Sequence, residues 1–243
     1  MKKRWLIYVG FFTILLALFY AFVFWDYDFS ASKLKVINDN LPEFSFTDQN
    51  GRPFTQNNVE EKVYVAEYFF TTCKGICPKM NANMRRVFDA YKEDPAFLIV
   101  SHTCMPETDS VPLLKAYEKK MINGKLSQAA DGLYKISWAY ADSTAAVTNP
   151  NWFFVFVDKQ QLYKLARQGY MIDNDHPDST QNIADQFIHT QFFALIDKNR
   201  RLRGIYDGLK NDEVEKMILD IKDLLGEKIK TKRFMNGFGN NPG

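Results

Sequence analysis

The chain has 243 residues, 46% apolar and 15% aromatic, with three cysteines and a formal net charge of +2. So small a charge excludes a protein that grips nucleic acid through a broad basic field. The apolar fraction excludes a disordered chain, and three cysteines are too few for a disulfide scaffold.

The first predicted element is a membrane helix. Trp5 to Trp25 contains no charged residue, and about 20 apolar helical residues cross the ~30 Å of a bilayer core. Trp5, Tyr8, Tyr20 and Trp25 stand near its ends, as interfacial aromatics do. The competing reading is a cleaved signal peptide. Its apolar region runs to only ~7–15 residues and closes on a small-residue cleavage site, and neither feature is present. Lys2, Lys3 and Arg4 precede the span, while Asp26 and Asp28 follow it. The positive-inside rule then keeps the N-terminus in the cytoplasm and exports the rest. A bacterial inner (plasma) membrane, crossed once, with the C-terminal domain in the periplasm is the simplest setting. The net charge of +2 belongs wholly to residues 1–26, so the exported part is formally neutral.

The expected organisation is an anchor over 1–26, a linker over 27–41, one globular domain over 42–228 and a flexible tail over 229–243. Within the domain, Phe44, Phe46 and Phe54 flank Asp48-Gln-Asn-Gly51, and Asn-Gly is a strong hairpin signal. Val63 to Phe70 is an apolar run that reads as a buried strand. It leads through Cys73 and Cys77 into a helix carrying Met80, Met84, Val87, Phe88 and Tyr91 at spacings of three and four. Asp94-Pro95 closes that helix, and Phe97–Val100 is a second strand. Ser110–Met121 reads as a helix, Asn151–Asp158 as a third strand and Lys159–Gln168 as a short helix. Residues 170–187 form a polar loop. Gln191–Asp197 and Leu202–Tyr206 pair as a hairpin before a last helix from Asp212 to Leu225. Strands alternating with helices imply an α/β domain with a sheet covered on both faces. A strand entering cysteines at a helix start, and a late hairpin entering a final helix, suggest the three-layer thioredoxin plan, here with an N-terminal β-hairpin extension.

Cys73 and Cys77 form C-x-x-x-C-P. Pro78 suits a helix start and disfavours helical geometry at Cys77, which places the pair on the turn. Gly75 is expected to let that turn fold sharply. The helix N-terminus, with Lys74 and Lys79, should lower the thiol pKa values. Two thiolates on one turn can close as a disulfide or chelate a soft ion. The spacing does not separate the two, although redox proteins of this fold more often show C-x-x-C.

Among the histidines, His189 precedes the fourth strand, which the thioredoxin plan brings beside the cysteine turn. It could complete a Cys₂His site for copper, since thiolates favour Cu(I) and imidazole accepts either copper state. His176 stands in the acidic loop as a transient ligand at most, and His102 reads as a packing residue. Cys104 ends the second strand on the rim of the cysteine turn. It reads as a half-buried small residue or, more sharply, as a thiol able to exchange with Cys73 or Cys77.

Three segments resemble the Sco/SenC family. They are Thr71-Thr-Cys73-Lys-Gly-Ile-Cys77-Pro78, then Ser101-His-Thr-Cys-Met-Pro-Glu-Thr-Asp-Ser110, and last Asp185-Gln-Phe-Ile-His189-Thr190 with the strands behind it. The resemblance runs from about Pro42 to Leu225. It implies a membrane-tethered thioredoxin-like protein that helps deliver copper to the CuA centre of cytochrome c oxidase. The implied partners are the CuA-bearing subunit and a copper donor protein. The implied copper ligands are Cys73, Cys77 and His189. Some members are instead assigned thiol-disulfide reductase work on the oxidase subunit, in which Cys73 and Cys77 would be the redox-active residues. The chain departs from the common family pattern at Met105-Pro-Glu-Thr-Asp109 and at Ile188. Cys104 is outside the family's usual set.

Overall fold

The computed structural model describes residues 2–24, 34–139, 146–173 and 190–228. The chain divides into two compact units, Met1–Ala31 and Ser32–Gly243. The first is helix α1 (Lys2–Phe24), whose stretch Arg4–Phe22 is long and apolar enough to cross a membrane. At 1.5 Å per residue it is ~35 Å long. Every side chain from Arg4 to Phe22 is exposed, the state expected of a helix whose solvent is lipid.

The second unit starts as an antiparallel hairpin, β1 (Ser45–Asp48) and β2 (Pro53–Thr55). Its turn needs Gly51 at φ +73°, a value that L side chains rarely adopt. Then follow a 3₁₀ turn (Gln56–Val59), β3 (Val63–Phe69), α2 (Cys77–Tyr91), β4 (Phe97–Thr103) and α3 (Val111–Asn123). A small separate hairpin, β5 (Lys125–Gln128) and β6 (Tyr134–Ser137), leads on to β7 (Trp152–Phe156) and α4 (Lys159–Lys164). The last elements are β8 (Phe192–Ile196), β9 (Leu202–Asp207) and α5 (Asn211–Gly226).

The main sheet has the order β2-β1-β7-β4-β3-β8-β9. Strands β7, β4 and β3 run parallel and the outer strands antiparallel. Side chains on β3 alternate between two cores, as a two-residue period requires. Val63, Val65 and Phe69 pack beneath α2, α3 and α5 with Met80, Met84, Phe88, Leu114 and Met217. Tyr64, Ala66 and Tyr68 face Phe44, Phe46 and Phe54 of the hairpin and Leu162, Ala166 and Tyr170 after β7. Each large apolar side chain so buried contributes about 1.5–3 kcal/mol. The expected α/β sheet of thioredoxin type, covered on both faces and preceded by a hairpin, is the observed one.

The differences have physical reasons. Strand β4 continues through Ser101-His-Thr103, because a central strand paired on both sides tolerates polar residues when their side chains are bonded. The β5–β6 hairpin falls where no element is expected, although Asp131-Gly132 at its turn carries the signal. Helix α4 ends at Lys164 and passes into a π turn, Leu165–Gly169, that buries Tyr170. Residues 34–41 carry contacts to the domain: Asn38 bridges to Leu202, and the Arg203 guanidinium donates to the Leu34 carbonyl.

Candidate metal and thiol site

The site is built where β3 and β4 end side by side. Phe69 pairs with Thr103, and the Cys104 N–H donates to the Phe69 carbonyl at 2.8 Å. After Phe70 the chain turns, with the Cys73 N–H donating to the Phe70 carbonyl at 3.2 Å, and enters α2. Helix α2 starts one residue earlier than the Cys-Pro pairing suggests. Cys77 is its first residue and Pro78 its second, so Cys73 lies on the turn and Cys77 in the helix. Gly75 does not carry the turn: its φ is outside the left-handed region, and a Cβ there would meet open space.

Cys73 and Cys77 are free thiols that line the same cavity. Cys73 is half-buried and Cys77 is 4% exposed. A cavity of about 320 Å³ opens beside them, walled by Tyr68, Phe69, Phe70 and Ile76 and touched by Cys104 and Thr190. The expectation of lowered thiol pKa values fails at Cys77. Burial pushes it well above the usual thiol range, the Cys73 thiol and Glu67 push the same way, and a backbone hydrogen bond with Phe70 opposes them. Desolvation outweighs the helix N-terminus because Cys77 is inside the core, where charge is costly. Cys104 is raised too, first by burial and then by the negative charge of Cys77, Asp109 and Asp173. It is buried rather than half-buried, on the expected rim.

Two acidic residues that sequence reasoning passed over support this corner. Glu67 is fully buried on β3. The Trp152 indole N–H donates to Ser101 Oγ at 2.8 Å, and Ser101 Oγ donates to Glu67 Oε1 at 2.6 Å. Glu67 Oε2 is buried with no hydrogen-bond partner. Burial pushes its pKa up to about 8, with the Ser101 hydrogen bond opposing, so at neutral pH it is a protonated acid. Its signal was a carboxylate inside the run Val63-Tyr-Val-Ala-Glu-Tyr-Phe-Phe70. Asp109, 1% exposed, accepts from the Thr71 N–H at 3.1 Å, the Thr71 hydroxyl at 2.6 Å and the Thr103 hydroxyl at 2.5 Å.

The histidines separate. His102 is a packing residue, as expected. It stacks on Tyr68, meets Phe46 edge-on, lies 3.3 Å from the Tyr170 hydroxyl through Nε2, and is held by burial at a pKa of about 3. His176 and His189 lie outside the described residues. Thr190, which follows His189 in sequence, is described and lines the cavity. Among the described residues no three His, Cys, Asp or Glu side chains are grouped so as to hold a metal ion. The donor set present is a vicinal thiol pair in an apolar-walled cavity. It fits a soft ion that lacks one further ligand, and Cys104 does not complete it as placed.

Residues 35–129 match the SCO1/SenC family model. The SCO1 protein homolog of Bacillus subtilis is 24% identical over 188 residues, covering 76% of this chain and 83% of that protein. The SCO1/SenC family lipoprotein of Bacillus anthracis is 28% identical with a TM-score of 0.59, over 78% of this chain and 97% of that one. BsSco, a member of the Sco family of cytochrome c oxidase assembly proteins in which a disulfide switch has been identified, shares the fold with a TM-score of 0.58 at 22% identity, over 81% of this chain and 100% of that one. The likeness that the three motif segments indicate is therefore also found across nearly the whole domain.

Proposed function

From its likeness to the Sco/SenC proteins as premise, we propose that this chain is a membrane-anchored copper chaperone that assists assembly of the CuA centre of cytochrome c oxidase. The observation that carries the reading is the pair Cys73 and Cys77 on the wall of one largely apolar cavity that Thr190 also lines. Cys73 and Cys77 hold the ion, and His189 supplies the third donor. Thiolate sulfur favours Cu(I), and apolar walls limit the water that would compete for it. Copper is cargo here. The half-buried Cys73 is the sulfur that a partner's thiolate can approach, so release by ligand exchange starts there. Helix α1 is the anchor, and the domain stands on the periplasmic side of a bacterial inner membrane.

Titration of the full chain in detergent with Cu(I), against a competing chelator, tests the reading. One equivalent is expected to bind, with binding lost in Cys73→Ser and in Cys77→Ser. No binding by the unaltered chain would refute it.

The same thiol pair supports a second reading, reduction of a partner's disulfide. Cys73 thiolate would attack one partner sulfur and displace the other as a thiolate. Cys77 would then attack Cys73 as its thiol proton passes to the departing second partner sulfur, leaving a Cys73–Cys77 disulfide and a partner reduced by two electrons. A reversible Cys73–Cys77 disulfide in balance with glutathione supports this reading, and a chain unable to form it excludes it.

A further inference from the structure

The β3–β4 ladder joins the segments that carry the thiols as far as the bond from the Cys104 N–H to the Phe69 carbonyl. The cysteine turn leaves β3 at Phe69, and the loop 104–110 leaves β4 at Thr103. Beyond that bond, a carboxylate ties them. Asp109 Oδ2 accepts from the Thr71 N–H and from the Thr103 hydroxyl, and Oδ1 accepts from the Thr71 hydroxyl. Thr71 lies two residues before Cys73, and Thr103 directly precedes Cys104. The loop holding Asp109 is itself closed: the Asp109 N–H donates to the Met105 carbonyl at 2.9 Å, and the Met105 N–H donates to Thr103 Oγ1 at 3.1 Å. The carboxylate is 1% exposed and Thr71 is half-buried, so water has little access to its oxygens. Hydrogen bonds to a buried charged acceptor are the strong ones, and their partners are costly to strand.

We propose that Asp109 is the positioning residue of the thiol site: by clamping Thr71 to Thr103 it holds the turn bearing Cys73 in the geometry at which Cys73 and Cys77 take a metal ion together. This deepens the copper reading and rests on it. Asp109 touches neither sulfur in this role. It acts through Thr71, as residues behind metal ligands do when they fix ligand orientation.

The test measures Cu(I) affinity of the full chain in detergent by chelator competition, with thermal stability measured alongside. Asp109→Ala removes all three bonds, and affinity is expected to fall about tenfold or more. Asp109→Asn removes the charge but keeps an oxygen for the Thr71 N–H and an amide for the Thr71 hydroxyl, so affinity should stay within about threefold of the unaltered chain. Thr71→Val loses only the hydroxyl and should fall in between, whereas Thr71→Ser should match the unaltered chain. Affinity unchanged in Asp109→Ala, however far its melting temperature drops, overturns the proposal. So does an equal loss in Asp109→Asn and Asp109→Ala, which would assign the effect to charge. If Asp109→Ala does not fold, Thr71→Val against Thr71→Ser decides: a loss confined to valine supports the clamp, and equal affinities overturn it. If the unaltered chain binds no Cu(I), the copper reading fails separately. The clamp is then read in the same variants from the glutathione equilibrium of the Cys73–Cys77 pair, with the same ordering expected and no change overturning it.

Discussion

Replacing Glu67 by Gln should remove a pH-dependent weakness from the core beneath the thiols. Glu67 is fully buried, and its carboxyl pKa is pushed from 4.5 to about 8 by burial. Between those two values the folded chain holds a proton that the unfolded chain has released. Folding stability is therefore greatest below pH 4.5, falls as pH rises, and levels off above pH 8. At about 1.4 kcal/mol per pH unit, the loss is roughly 3 kcal/mol by pH 7 and about 5 kcal/mol above pH 8. Glutamine keeps an oxygen for the Ser101 hydroxyl and cannot ionise. Urea unfolding of the full chain in detergent, under reducing conditions at pH 5 and pH 8, reads the difference. The unaltered chain should lose about 3 kcal/mol more than Glu67→Gln over that interval. Parallel profiles, agreeing within about 1 kcal/mol, would show that the carboxyl is not desolvated and would refute the reasoning.

His102 produces the opposite limb. Its pKa is lowered from 6.5 to about 3 by burial, so its contribution is present above pH 6.5 and is lost as pH falls toward 3. From pH 7 to pH 5 that is about 2 kcal/mol, and His102→Phe should lose this acid sensitivity in the same urea assay. The three thiols should alkylate unequally. Peptide mapping after brief iodoacetamide treatment at pH 7.5 should find Cys73 modified well before Cys77 and Cys104, which are 4% and 5% exposed and raised in pKa. Equal labelling of all three would contradict the buried placement of Cys77.

The sheet and its order of elements were legible because β3, β7 and β8 are continuous apolar runs and α2 and α5 keep a clean helical stripe. What escaped were polar residues inside buried strands. Ser101 and His102 look like loop residues until the pairing of β4 with β3 and β7 is known. Glu67 passes unnoticed inside an apolar run, and Ser101 and Trp152 give it a partner chain across the sheet. The cysteine pair was visible from its spacing, but its electrostatics were not. A helix start suggests a stabilised thiolate, whereas the depth of Cys77 makes the neutral thiol the favoured form. Asp109 could not be read from sequence, because its partners Thr71 and Thr103 stand 38 and 6 residues away and meet only at the ends of two parallel strands.

The central claim, copper held by the Cys73–Cys77 pair, is tested most directly by X-ray absorption at the copper edge of the Cu(I)-loaded full chain, compared with the His189→Ala variant. The account predicts two sulfur scatterers and one nitrogen scatterer, with the nitrogen lost and both sulfurs kept in His189→Ala. A first shell without sulfur, or one unchanged in the variant, would contradict it.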